Sequence, residues 1–215
     1  MCITWKGNAV GSRGALRMPL TARQHQILVG TLLGDGCLER NGRHVRLKVD
    51  HGADQRAREY VLWKYDELRD LASGVPREVR VFDRRSGRIY THFRFATRTL
   101  EELDEYHLIF YDHGRKRVPE NIGDLLTTPL SLAVWFMDDG HRRTDCRALR
   151  INTQGYSFGE NKLLCGVLER NFGVEARVHR VRDEMYVMYI PAAQANVFCD
   201  LVRPYVLKCM KYKLL

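Results

Sequence analysis

Residues 28–36 read L-V-G-T-L-L-G-D-G, and residues 132–140 read L-A-V-W-F-M-D-D-G. Each is an apolar run closing in Asp-Gly, and the two aspartates, Asp35 and Asp139, stand 104 residues apart in a chain of 215. A carboxylate at the end of an apolar helix is costly to bury without a partner. Two of them at matching points of two half-chains suggest a shared metal site on a pseudo-two-fold axis. The C-terminal end of a helix carries partial negative charge, so two such ends side by side favour a cation. Neighbouring helical residues point about 100° apart, so Asp138 and Asp139 cannot both aim at one spot. Alignment of the two segments pairs Asp139 with Asp35 and Asp138 with Gly34. Asp35 and Asp139 are therefore the candidate ligands.

The pattern around each motif repeats. Thr21 and Gln24 form a predicted capping box ahead of the first apolar helix. Asn41-Gly42 marks a hairpin whose second arm puts Val45, Leu47 and Val49 on one face and His44, Arg46, Lys48 and Asp50 on the other. An amphipathic helix over 55–72 follows, then a hairpin turning at Ser86-Gly87, then a short helix behind a predicted Thr99/Glu102 capping box. Residues 115–123 read as a loop. Thr128-Pro129 opens the second apolar helix. A basic strand pair, a helix capped by Ser157 and Glu160 and stopped by Gly173, two strands around Arg182-Asp183 and a helix over 192–201 complete it. The expected fold is α+β: an αββαββα unit used twice, over residues 21–123 and 124–215, behind a basic arm at 1–20. Two antiparallel sheets, each with one basic face, would form a saddle with the motif helices packed at the axis. Small residues at the helix contact let backbones approach, and Val134 stands where the first motif has Gly30.

The charge of +9 and pI near 9.4 point to a polyanionic partner. Of 35 basic residues, 27 are Arg, whose planar fork grips phosphate or a guanine edge with two bonds. No apolar run approaches the ~18 residues of a membrane span. The six cysteines show no zinc-like spacing and read as reduced, mostly buried thiols in a reducing compartment such as a bacterial cytoplasm or organelle matrix, and the N-terminal stretch lacks the continuous apolar run of a secretory signal. Residues 1–34 lack Asp and Glu but carry Lys6, Arg13, Arg17 and Arg23, as a transit peptide or a DNA-touching arm would.

The paired motifs, the repeat and the basic strands resemble the LAGLIDADG homing endonucleases of the monomeric, two-motif class. The W-F-M-D-D-G of the second motif is similar to the subgroup encoded by group I introns. R-K-R-V-P-E-N at 115–121 resembles that subgroup's Lys-x-[Ile/Val]-Pro segment, and M-K-Y-K-L at 210–214 resembles its closing Tyr-Lys-Leu. The resemblance covers about residues 20–215. It implies Asp35 and Asp139 as metal ligands, Lys116 and Lys213 as active-site lysines, and backbone carbonyls of Gly34 and Asp138 as further ligand atoms. The implied cofactor is Mg²⁺, as two or three ions, with Mn²⁺ or Ca²⁺ able to substitute in binding. The implied activity is site-specific double-strand cleavage of a long DNA target across the minor groove, leaving short 3′ overhangs, by a functional monomer. The sheets' basic faces would enter the major groove, with Arg46, Lys48, Arg80, Arg94, Arg150 and Arg177 as candidate base or phosphate contacts. No protein-splicing segment surrounds the motifs, so an intron-encoded enzyme is expected rather than an intein. An intron RNA maturase, or an inactive DNA-binding regulator, on the same fold is the alternative.

Overall fold

The computed structural model describes residues 20–215, so the N-terminal arm up to residue 19, and Cys2 within it, lie outside the described residues. The first half runs α1 (Ala22–Leu33), β1 (Cys37–Asn41), β2 (His44–Gly52), α2 (Gln55–Glu67), β3 (Arg77–Asp83), β4 (Arg88–Ala96) and α3 (Glu102–Phe110). A small hairpin, β5 (Tyr111–Asp112) and β6 (Arg115–Lys116), and the short α4 (Ile122–Leu125) lead into the second half. That half runs α5 (Pro129–Asp139), β7 (Gly140–Arg142), β8 (Leu149–Ile151), α6 (Phe158–Phe172), β9 (Arg177–Arg182), β10 (Met185–Ile190) and α7 (Ala192–Val202), and closes in a 3-10 turn at Lys208–Lys213. The αββαββα order appears twice. The two four-stranded antiparallel sheets share one topology, β1-β2-β4-β3 and β7-β8-β10-β9. No helix among the described residues is long and apolar enough to cross a membrane.

Local chemistry sets most boundaries. Thr21 Oγ1 accepts from the Gln24 amide at 3.2 Å and Gln24 Oε1 accepts from the Thr21 amide at 3.0 Å, closing the expected box. Thr128 caps α5 with Pro129 behind it. Ser157 and Glu160 box the start of α6, and Gly173 ends it in the left-handed region at φ 65°. Three sequence expectations fail. Thr99 and Glu102 form no box, because α3 begins at Glu102 with Glu101 in the N-cap position, and the Thr99 hydroxyl accepts from Asn41 instead. Residues 115–123 contain β6 and α4 rather than only a loop. Among the described cysteines only Cys199 is buried; Cys146 is exposed and three are intermediate.

The motif helices α1 and α5 pack against each other through a single core spanning both halves. Ile27, Val29, Leu32, Ala133, Val134, Trp135 and Phe136 are wholly buried there. Two glycines serve the close approach, Gly30 facing Val134 and Gly34 facing Asp138. A Cβ built on Gly30 would lie 2.4 Å from the Ser131 carbonyl oxygen and 2.7 Å from Val134 Cβ. Val134 therefore fills the hollow that Gly30 leaves, and its bulk does not separate the helices. Two tyrosines tie each half to the other's motif helix. Tyr60 on α2 donates to the Val134 carbonyl at 3.1 Å, and Tyr156, ahead of α6, donates to the Leu33 carbonyl at 2.9 Å.

Strand parity sorts the sheet faces. Val45, Leu47 and Val49 of β2 and Phe95 of β4 lie on the core. Arg46, Lys48 and Asp50 lie on the other face, which Arg94 shares through its pairing with Asp50. In the second sheet Leu149, Ile151, Met188 and Ile190 are buried, leaving Arg150, Tyr189 and Arg177 in register on the opposite face.

Candidate active site

The two motif aspartates end their helices differently. Asp139 is the last residue of α5. The helix α1 stops at Leu33, so Asp35 sits beyond it on a turn, with its side chain about half exposed (48%). Burial pushes the Asp139 carboxyl up to about 8, the charges of Asp35 and Asp138 add to the rise, and Lys116 and Lys213 oppose it. Desolvation is thus the main obstacle to ionising this carboxyl, and a divalent cation beside it would favour the charged form.

Lys116 and Lys213 arrive in equivalent roles from β6 and the closing 3-10 turn. Lys116 Nζ donates to the carbonyls of Gly34 at 2.5 Å and Gly36 at 2.8 Å. Lys213 Nζ donates to those of Met137 at 2.5 Å and Asp138 at 3.0 Å. Each ammonium therefore closes the C-terminal end of its own half's motif helix, where unpaired carbonyls collect. Burial lowers the pKa of both lysines, against the pull of the three aspartates. The Gly34 and Asp138 carbonyls, the sequence-based candidates for metal ligands, are the ones these lysines hold.

The Asp138 carboxylate, given no role from the sequence, is fully buried and gripped by the equally buried Lys64, whose Nζ lies 2.8 and 3.0 Å from its two oxygens. The Lys64 ammonium also sits 4.5 Å from the Tyr60 ring centroid. His51, at the end of β2, lies between the aspartates without a hydrogen bond to either: Nδ1 is 3.6 Å from Asp35 Oδ2 and Nε2 is 3.7 Å from Asp138 Oδ1. Asp35, His51 and Asp138 each offer a ligand atom within 4.8 Å of the others. An oxygen-rich set of this kind suits a hard divalent ion, and the half-exposed Asp35 with the charge-crowded Asp139 are the carboxylates without a lysine bonded to them. Sequence reasoning missed Lys64 and His51. For Lys64 a signal existed: it stands three residues after Val61 and four before Leu68, on the inward stripe of α2.

The DNA-contact candidates divide. Arg46 and Lys48 share Glu39, and Arg94 lies 3.5 Å from Asp50, all on the open face of the first sheet. They line a cleft of about 600 Å³ together with Arg77. Arg80 is on the other face: it pairs with Thr91, out of phase with Arg94, whose partner is Arg77. A one-residue change of strand phase reverses the face, so Arg77 holds the position that the sequence reading gave to Arg80. Arg150 and Arg177 share the open face of the second sheet with His179, whose ring stacks on Tyr189 at 4.2 Å.

Comparison with known proteins gives a consistent picture. The model of the family described as LAGLIDADG DNA endonuclease matches residues 25–198. The cytochrome b mRNA maturase bI2 of Debaryomyces hansenii is 27% identical over 203 residues, covering 91% of this chain and 75% of the relative. The DNA endonuclease I-ChuI of Chlamydomonas applanata is 28% identical over 212 residues, covering 91% and 96%. A RecA protein of Mycobacterium gastri is 32% identical over 226 residues, covering 96% of this chain but only 51% of its own length. Among solved structures, the homing endonuclease I-WcaI bound to its DNA recognition sequence superimposes with a TM-score of 0.82 at 25% identity, covering 92% of this chain and 88% of that one.

Proposed function

This chain belongs to the LAGLIDADG DNA endonuclease family, and we propose that it is a site-specific, intron-encoded homing endonuclease that cuts both strands of a long DNA target. The observation that carries the reading is the pairing of two Asp-Gly helix ends, each closed by a buried lysine, between two sheets with basic open faces. The DNA would lie in the saddle, one half-site per sheet. Arg46, Lys48, Arg77 and Arg94 would face one major groove, and Arg150 and Arg177 the next, most of them on phosphate.

Asp35 and Asp139 would hold the divalent ions, with Mg²⁺ as the working cation, two or three in number, and Mn²⁺ or Ca²⁺ as substitutes in binding. The chemistry supplied there by bound ions would be that of a Lewis acid, polarising the phosphodiester, activating water and stabilising the leaving oxygen. Lys116 and Lys213 place positive charge where negative charge develops on the scissile phosphates. Because each also clamps two carbonyls, it fixes the turn that carries its aspartate. The cut would fall across the minor groove and leave short 3′ overhangs, and the pseudo-two-fold chain would act as a monomer.

A second reading, binding of intron RNA, is favoured by the maturase relative that covers 91% of this chain. The experiment that separates them is incubation of the protein with a plasmid library carrying a randomised insert, with Mg²⁺ and with EDTA. Mg²⁺-dependent linearisation at a common site, lost in Asp139→Asn, supports the endonuclease. Intron RNA binding with no plasmid linearised under any condition supports the alternative.

A further inference from the structure

The two centres are not built alike. Within α5, Asp139 is held by the helix itself. Two residues earlier in its own frame, α1 has already ended, so the Asp35 amide has no helical acceptor. That amide donates instead across the axis to Asp138 Oδ2 at 3.3 Å. Asp138 is available for this because Lys64 compensates its buried charge. The brace has no counterpart in the other half. The residue matching Asp138 is Gly34, which has no side chain to offer. The residue ten positions past the α6 cap, as Lys64 is past the α2 cap, is Val167, buried and apolar. The residue matching His51, from the equivalent pairings Cys37↔Lys48 and His141↔Arg150, is Thr153. Its hydroxyl donates to Asn161 and accepts from the Met188 amide, away from both aspartates.

We propose that the buried Lys64–Asp138 pair is the positioning device of the Asp35 centre alone, so that cleavage of one DNA strand depends on a brace that cleavage of the other does not use. The proposal rests on the endonuclease reading. An ion pair this deeply buried gains little stability over apolar residues of the same shape. Its distinguishing effect is directional: it fixes the amide, and hence the carboxylate, of a residue that no helix holds. Displacement of a reacting group by about 1 Å can cost on the order of 100-fold in rate.

The test uses a target that the wild-type protein has selected from a randomised plasmid library, with each strand labelled separately, under single-turnover conditions in Mg²⁺. Lys64→Met combined with Asp138→Leu removes both charges and the acceptor while keeping the branched shape. The strand cut at the Asp35 centre is expected to slow on the order of 10- to 100-fold more than the strand cut at the Asp139 centre, so that nicked circles accumulate. Lys64→Met with Asp138→Asn, which retains a side-chain carbonyl for the Asp35 amide, is expected to recover most of the lost rate. A merely structural pair would slow both strands equally or neither, and either result overturns the proposal. Thermal melts establish that each variant is folded at the assay temperature; if the leucine variant is not, Lys64→Met with Asp138→Ala is scored by the same strand ratio. If the wild type linearises no library member, the endonuclease reading fails first and the proposal with it.

Discussion

Substitution of Gly30 by alanine isolates the contact on which the fold turns. The added Cβ would lie 2.4 Å from the Ser131 carbonyl oxygen and 2.7 Å from Val134 Cβ. Favourable contact begins near 3.5 Å, so α1 and α5 must separate by about 1 Å. Overpacking of this kind costs ~1–3 kcal/mol, and the upper end applies because the oxygen belongs to helical backbone and cannot rotate away. Alanine returns ~1 kcal/mol through its helix propensity. The net loss is then about 2 kcal/mol, or ~4–8 °C in melting temperature for a chain of this size. Differential scanning calorimetry in EDTA measures it. Val134→Gly in the same chain removes one of the two clashes and should recover part of the loss, a coupling a double-mutant cycle reads directly. Because the same separation draws Asp35 away from Asp139, DNA cleavage should fall on the order of 100-fold at temperatures where the variant is folded. A Gly30→Ala protein that melts at or above wild type would refute the close packing of the two helices and the site geometry built on it.

Other outcomes follow from the charges. Asp139 ionises near pH 8 in the folded protein and near 3.8 when free, so the folded state holds the extra proton between those values, and metal-free stability should fall as pH rises from about 4 to 8. Asp139→Asn should flatten that slope in EDTA melts while abolishing double-strand cleavage; an unchanged slope would remove the buried-carboxyl argument. For the same reason, Mg²⁺ uptake at pH 7 should release close to one proton, detectable by titration calorimetry in buffers of different ionisation enthalpy, and Asp139→Asn should suppress the release. Lys116→Met should slow cleavage on the order of 100-fold and also lower the melting temperature, since two carbonyls lose their donor; equal kinetics with and without the ammonium would return Lys116 to a purely structural role. Arg77→Ala should weaken DNA binding and reduce its salt dependence by about one counterion, whereas Arg80→Ala should leave that slope unchanged, an assignment reversed if the two variants exchange behaviour in filter binding at graded salt.

Much of this was legible from the chain because the informative residues are local. Thr21 with Gln24, Thr128 with Pro129 and Ser157 with Glu160 announce helix starts within four residues, and the matched Asp-Gly endings announce the repeat. What escaped depends on distance or phase. Lys64 and Asp138 are 74 residues apart in sequence and meet only once the halves pack. A carboxylate one residue from a presumed ligand gave no hint that it would turn inward to the axis. Arg80 was misplaced because β3 starts at Arg77, and a strand's face is set by one residue of phase. The lysine contacts to helix-end carbonyls could not be read from sequence, since Lys116 reaches Gly34 from a hairpin too short to leave a pattern.

The crossing of α1 and α5 also fixes what this chain can no longer be. Gly30 faces Val134 and Gly34 faces Asp138, and in each pair the two residues occupy the same place in their own motif. A symmetric pair of second halves would set Val134 against Val134 and Asp138 against Asp138, with Cβ atoms where only glycine fits. A symmetric pair of first halves would set glycine against glycine and leave two Lys64 side chains buried without a carboxylate. Each half has become the other's mould. Fusion into one chain is therefore not only a tether between interchangeable parts: the halves have differentiated to the point where neither can serve as its own partner, and any attempt to symmetrise or exchange them must rebuild these two facing positions together.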